Sequence, residues 1–104
     1  MNTKNKLNKP YKEVFKKDLS LADILRSTRL CNEETQTIFS KKLGISVKHL
    51  SDIENGRKAI SPERAALFAR KLGHLEEFFV LTAINDYLRN KKINITVSSD
   101  RKAG

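Results

Sequence analysis

Apolar positions recur at helical spacing in five runs between residues 20 and 90, and then give way to strict alternation. In the first run Leu21, Ile24, Leu25 and Thr28 share a face, and Ser20 with Asp23 three residues on marks the start of a helix. The second run opens at Thr35, carries Ile38, Phe39, Lys42 and Leu43 on its stripe, and closes at Gly44. Ser46 starts a third helix that turns Leu50 and Ile53 inward and stops at Asn55-Gly56. The fourth begins at Ser61-Pro62-Glu63, which combines a cap, a proline in the first turn and an acid at the positive helix end. Its inward residues are Ala65, Ala66, Phe68, Ala69 and Leu72, and Gly73 closes it.

The fifth run, about 75 to 90, is different. Phe78, Phe79, Leu81, Thr82, Ile84, Tyr87 and Leu88 spread too widely for a helix with one buried stripe. After it, Ile93, Ile95 and Val97 alternate with polar residues, a strand pattern. A lone strand cannot satisfy its own backbone. It pairs with a copy of itself, pairs with another protein, or stays unpaired in the free chain. The first choice also covers the excess apolar surface, so Phe79, Ile84, Leu88, Ile93, Ile95 and Val97 are the expected dimer interface.

The spacing of the second and third helices carries the function. Only Gly44-Ile45-Ser46 separates them, the short turn of a helix-turn-helix unit whose second helix can enter a DNA major groove. Two helices crossing steeply need a small residue at the crossing, where Ser40 stands, and Ile45 plugs the gap under the turn. With Leu50 and Ile53 inward, Val47, Lys48, Ser51 and Asp52 are expected outward.

Charge points the same way. The 104 residues hold 21 Lys+Arg against 12 Asp+Glu, a formal charge of +9, which calls for an anionic partner. Six lysines against Glu13 and Asp18 make residues 1–18 a basic arm, with weak helical spacing at Leu7, Tyr11, Val14 and Phe15. The expected organisation is therefore an arm at 1–18, a DNA-binding domain at 19–90, and a strand and tail at 91–104. The single cysteine, Cys31, allows no internal disulfide and suits a reducing cytoplasmic setting. No apolar stretch nears the roughly 20 residues of a membrane-spanning helix, and the N-terminus has no signal-peptide core.

Catalytic and metal chemistry find no foothold. His49 and His74 stand on different helices with no cysteine or acidic cluster beside them. Glu76 and Glu77 open the fifth helix, where its dipole favours acids, and no phosphate loop or nucleophile elbow is present. No enzyme and no cofactor are expected.

Residues 35–73 carry a family resemblance. Thr35-Gln36, Leu43-Gly44-Ile45-Ser46, Ile53-Glu54-Asn55-Gly56-Arg57 and a proline-capped helix ending in Leu72-Gly73 resemble the Xre/Cro helix-turn-helix repressors of bacteria and phages. The resemblance implies an all-α, five-helix, lambda-repressor-like bundle over about 20–90, to which the alternating segment adds a short strand. It implies that Ser46, Val47, Lys48, Ser51 and Asp52 face base edges or the nearby backbone. It puts Gln36, Asn55, Arg57 and Lys58 near phosphates, and gives Glu54 a structural task. The chemistry fits these positions: Lys48 can donate to guanine O6 and N7, Val47 can touch a thymine methyl, and Asp52 can accept from cytosine N4. Lys41, Lys42, Arg57 and Lys58 suit sequence-independent contacts.

Two departures limit what carries over. Ser40 replaces the usual alanine, and Val47 and Asp52 stand where longer polar residues are common, so no target sequence transfers. The expected function is a homodimeric repressor of a palindromic site on double-stranded DNA. Its size and tail resemble antitoxins of the HigA kind, with a toxin as a further partner; a stand-alone repressor is the close competitor. The alternative from another class is a protein-binding adaptor similar to multiprotein bridging factors.

Overall fold

A computed structural model describes residues 19–99. The basic arm expected over 1–18 and the end of the tail, 100–104, lie outside the described residues. Five helices follow one another: α1 Leu21–Cys31, α2 Gln36–Leu43, α3 Val47–Glu54, α4 Pro62–Leu72 and α5 Glu76–Asn90. Among the described residues, no helix is long and apolar enough to cross a membrane.

Four helices start where a hydroxyl stands before the first turn. The Ser20, Thr35, Ser46 and Ser61 oxygens accept from the backbone N–H of Asp23, Ile38, His49 and Arg64, at 3.1, 3.2, 3.0 and 3.1 Å. Each bond satisfies a donor the helix itself leaves unpaired, an effect worth about 1 kcal/mol. α5 has Leu75 at its cap position and no side-chain cap, but Glu76 and Glu77 in its first turn suit the positive dipole end. α1 receives a second start signal from far along the chain: the Leu21 N–H donates to Asp86 Oδ2 of α5 at 2.9 Å.

The core forms where the inward stripes meet. Leu21, Leu25, Phe39, Leu43, Leu50 and Ile53 of α1 to α3 are buried against Ala65, Phe68, Ala69, Phe79 and Ala83 of α4 and α5. α4 and α5 share the most extensive contact, while α1 packs on α3 and α5, and α2 on α3 and α4. Each large side chain so buried contributes about 1.5–3 kcal/mol of transfer free energy. Ser40 of α2 is buried and donates to Thr37 O at 2.9 Å, so its hydroxyl is paired. Ile45 packs against the same core under the turn.

Two expectations from the C-terminal third need correction. Residues 93–97 form no strand, and no strand occurs among the described residues. Lys92 takes a left-handed backbone with φ 60°, and the Ile93 N–H returns to Leu88 O at 2.8 Å, closing α5. The Ile95 N–H then donates to Ile93 O at 2.9 Å, a three-residue turn that breaks the extended run. Val97 pairs with a side chain instead of a strand: its N–H donates to Asn85 Oδ1 at 2.8 Å and its carbonyl accepts from Asn85 Nδ2 at 3.0 Å. One amide of α5 thus supplies locally the donor and acceptor that a neighbouring strand would have offered.

The second correction concerns Phe79, expected in the dimer interface. Its ring is fully buried within the subunit and stacks on His74 at 5.4 Å between centroids. The apolar surface left open lies elsewhere, at Leu75, Phe78, Tyr87, Ile93 and Ile95.

Candidate nucleic-acid interface

The turn between α2 and α3 rests on Gly44. Its φ of 79° is strained for a residue with a Cβ, and a Cβ here would meet Lys71 Nζ at 3.3 Å. With that residue left-handed, the Gly44 N–H reaches Lys41 O at 3.1 Å and the Ile45 N–H reaches Ser40 O at 3.0 Å. α2 therefore stops sharply and the chain restarts at once as α3, capped by Ser46.

α3 has two faces. Leu50 and Ile53 are fully buried, while Ser46, Val47 and Lys48 are exposed at its N-terminal end and Ser51 is half-buried one turn on. Val47 is an exposed apolar residue on this otherwise polar end. Asn55 closes the helix by donating from Nδ2 to Ser51 O at 2.9 Å.

Asp52 departs from the expected arrangement. Helical periodicity places it outward with Lys48 and Ser51, yet it is only 7% exposed. The chain after the helix folds back onto it. Gly56, left-handed with φ 77°, turns the chain back so that the Arg57 and Lys58 N–H groups donate to Asp52 O at 2.7 and 3.2 Å. The same turn lays the Arg57 side chain along the aspartate, with Nε 3.2 Å from Oδ1. Lys48 approaches from one helical turn earlier, its Nζ 3.4 Å from Oδ2. Burial alone would push this carboxyl up; hydrogen bonds from Arg57 and Lys48, with their charges, hold it below its ordinary value. Asp52 is ionised at neutral pH, with two of the expected DNA contacts as its partners.

Gln36 is half-buried, and its Nε2 donates to Glu54 Oε1 at 3.0 Å, tying the start of α2 to the end of α3. Glu54 also receives Arg29 of α1, Nε to Oε2 at 2.8 Å. Burial would raise the Glu54 carboxyl, but the bonds from Arg29 and Gln36 lower it overall. Arg29 is in turn raised by its hydrogen bond to Glu54. The sequence reading missed Arg29 altogether, because nothing local to α1 announces a partner 25 residues away.

The flank toward α4 adds another cation. Arg64 Nη1 lies 3.4 Å from His49 Nδ1 of α3. Burial, then the nearby Arg64 and Lys58 charges, lowers the His49 pKa, so at neutral pH the ring is uncharged. Lys42 of α2 is paired with Glu34, while its neighbour Lys41 is exposed.

Two capped helices stand on either side of a left-handed glycine, and the second has one buried and one open face. In a comparison with known families, residues 35–78 match the family described as helix-turn-helix. The segment belongs to the Xre-like helix-turn-helix family. At the family level the match supports a DNA-binding regulator. The matched residues span α2, α3, α4 and the start of α5. No curated protein and no solved structure matches the chain.

Proposed function

We propose that the protein is a sequence-specific repressor acting as a homodimer on a palindromic operator, each subunit laying α3 in a major groove. The observation that carries this reading is the build of α3. Its inner face is locked by Leu50 and Ile53, its C-terminal end is tied down through Glu54, and its N-terminal end is left open at Ser46, Val47 and Lys48. A helix held this firmly at its base presents fixed side chains to a ligand, which sequence readout requires.

In this reading Ser46, Val47, Lys48 and Ser51 meet base edges, while Gln36, Asn55, Arg57 and Lys58 follow the phosphates on either side. The arm at 1–18 adds sequence-independent attraction through its six lysines. A two-fold pairing through α5 and the segment after it would cover Ile84, Leu88, Ile93 and Ile95, of which Ile93 and Ile95 are exposed in the subunit.

A binding selection from fragmented genomic DNA tests the reading. The expected product is an inverted repeat whose half-sites lie about one helical turn, ~34 Å, apart. Failure to enrich any sequence would overturn the repressor reading and favour the protein-binding adaptor. Antitoxin and stand-alone repressor part at a different measurement: an antitoxin co-purifies with a small toxin encoded beside its own gene, and a stand-alone repressor does not.

A further inference from the structure

We propose that Asp52 is a specificity-determining residue: an internal counter-ion that competes with DNA phosphates for Lys48 and Arg57 and so weakens binding to any sequence offering Lys48 no base edge in exchange. The inference rests on α3 meeting DNA as proposed above, and it replaces the base-reading role that the sequence alone gives this residue.

The geometry separates a fixed anion from two swinging cations. The Asp52 side chain is 11% exposed, whereas those of Lys48 and Arg57 are 85% and 64% exposed. The turn past Gly56 holds the aspartate from behind, through the Arg57 and Lys58 N–H bonds to its carbonyl. Among the described residues the Lys48 and Arg57 side chains bond only to the carboxylate, although the Arg57 backbone belongs to the turn. Either can leave by rotating its side chain, and the aspartate cannot follow.

The competition follows from what each partner offers. On arbitrary DNA, a lysine moving from Asp52 to a phosphate exchanges one anion for another and leaves the carboxylate one cation short beside the polyanion. Fewer phosphates are then neutralised, so non-specific affinity and its salt dependence both fall. At a matching site Lys48 gains directed bonds to guanine O6 and N7, which a phosphate does not supply. Discrimination arises by penalising the wrong complex more than the right one.

The test uses the full chain with two duplexes of equal length, the selected operator and a random sequence, titrated by fluorescence anisotropy over a range of salt. Asp52→Asn keeps the shape and the backbone carbonyl while removing the charge; Asp52→Ser serves if thermal melting shows the first variant unfolded. The expected result is random-duplex binding about tenfold tighter, a log–log salt slope steeper by about 1, and a smaller operator-to-random ratio. In an Arg57→Gln background the gain should shrink, since one of the two cations that the carboxylate withholds from the phosphates is gone. Random-duplex affinity unchanged in a variant of a discriminating wild type would overturn the proposal alone. So would a gain that persists undiminished in both Lys48→Met and Arg57→Gln backgrounds, which is the signature of merely deleting a negative charge near DNA. If wild type and variants bind neither duplex at low salt, the DNA reading itself falls, and the proposal with it.

Discussion

Arg29, in the last turn of α1, grips Glu54, the last residue of α3, with two parallel hydrogen bonds: Nε to Oε2 at 2.8 Å and Nη2 to Oε1 at 3.0 Å. Gln36 of α2 shares Oε1, and Arg29 Nη1 donates to Glu34 O in the α1–α2 turn at 3.0 Å. Three helices therefore meet at one carboxylate, at the end of α3 opposite its open face. The side chains of the pair are 13% and 4% exposed. Charges this well covered are costly unless both are present and fully bonded.

Removing one member should therefore hurt more than the pair itself contributes. Glu54→Ala is expected to destabilise by about 3 kcal/mol or more, because the Arg29 guanidinium stays behind without its partner. That is a large share of the roughly 5–15 kcal/mol that holds a domain together. Urea denaturation at pH 7 measures it, and a loss under about 1 kcal/mol would mean that water readily replaces the carboxylate.

Two carboxylates make opposite contributions as pH falls. Glu54 has its pKa lowered by Arg29 and Gln36 against the opposing effect of burial, so its contribution is complete above the ordinary 4.5 and lost as pH drops through the lower folded value. Asp86 is raised, chiefly by burial, so its contribution is complete below the ordinary 3.8 and lost as pH climbs through the higher folded value. Denaturation profiles from pH 3 to 7 should accordingly be flatter on the acid side for Glu54→Gln than for wild type. Asp86→Asn, which keeps an acceptor for the Leu21 N–H, should gain on wild type near neutrality, with the gain fading toward pH 3. A gain that grows on acidification would contradict the assignment of burial as the dominant cause.

Two helix ends invite stabilisation. Glu33 and Lys92 adopt left-handed backbones, φ 56° and 60°, at the positions where α1 and α5 terminate. A Cβ there costs on the order of 1 kcal/mol that glycine avoids. Glu33→Gly and Lys92→Gly should each raise the melting temperature by a few degrees. Calorimetry decides it; a fall in either case would show that glycine's extra freedom in the unfolded chain outweighs the relief of strain.

On DNA, Lys48 and Arg57 should behave differently although both contact Asp52. Lys48→Ala is expected to cost about 1–3 kcal/mol on the selected operator and to relax preference at one base pair. Arg57→Ala should weaken operator and random duplex by similar factors. Equal losses on the two duplexes for Lys48→Ala would assign it to the phosphates instead.

Local chemistry made most of this fold legible in the sequence. The hydroxyls of Ser20, Thr35, Ser46 and Ser61, and the glycines at 44, 56 and 73, set helix ends through bonds spanning only a few residues, so their neighbours were sufficient to read them. The inward positions of Leu50 and Ile53 followed from period alone, because a helix has one face to bury. The short turn between α2 and α3, with the open N-terminal end of the second, was readable for the same reason.

What escaped depends on segments that meet only after folding. Alternation at Ile93, Ile95 and Val97 reads as a strand, but a strand needs a neighbour, and the neighbour that folding brings is the Asn85 amide. The wide apolar spread of α5 did not reveal that Phe79 is spent within the subunit while Phe78 and Tyr87 stay open, since burial depends on which helices pack against it. Asp52, outward by helical period, is met by the chain folding back past Gly56, which periodicity within α3 cannot register. A sequence fixes the bonds a residue can make with its near neighbours and the face it presents. Which charges finally pair, as Arg29 with Glu54 or Asp86 with the first turn of α1, is decided by packing that brings distant segments within hydrogen-bond reach.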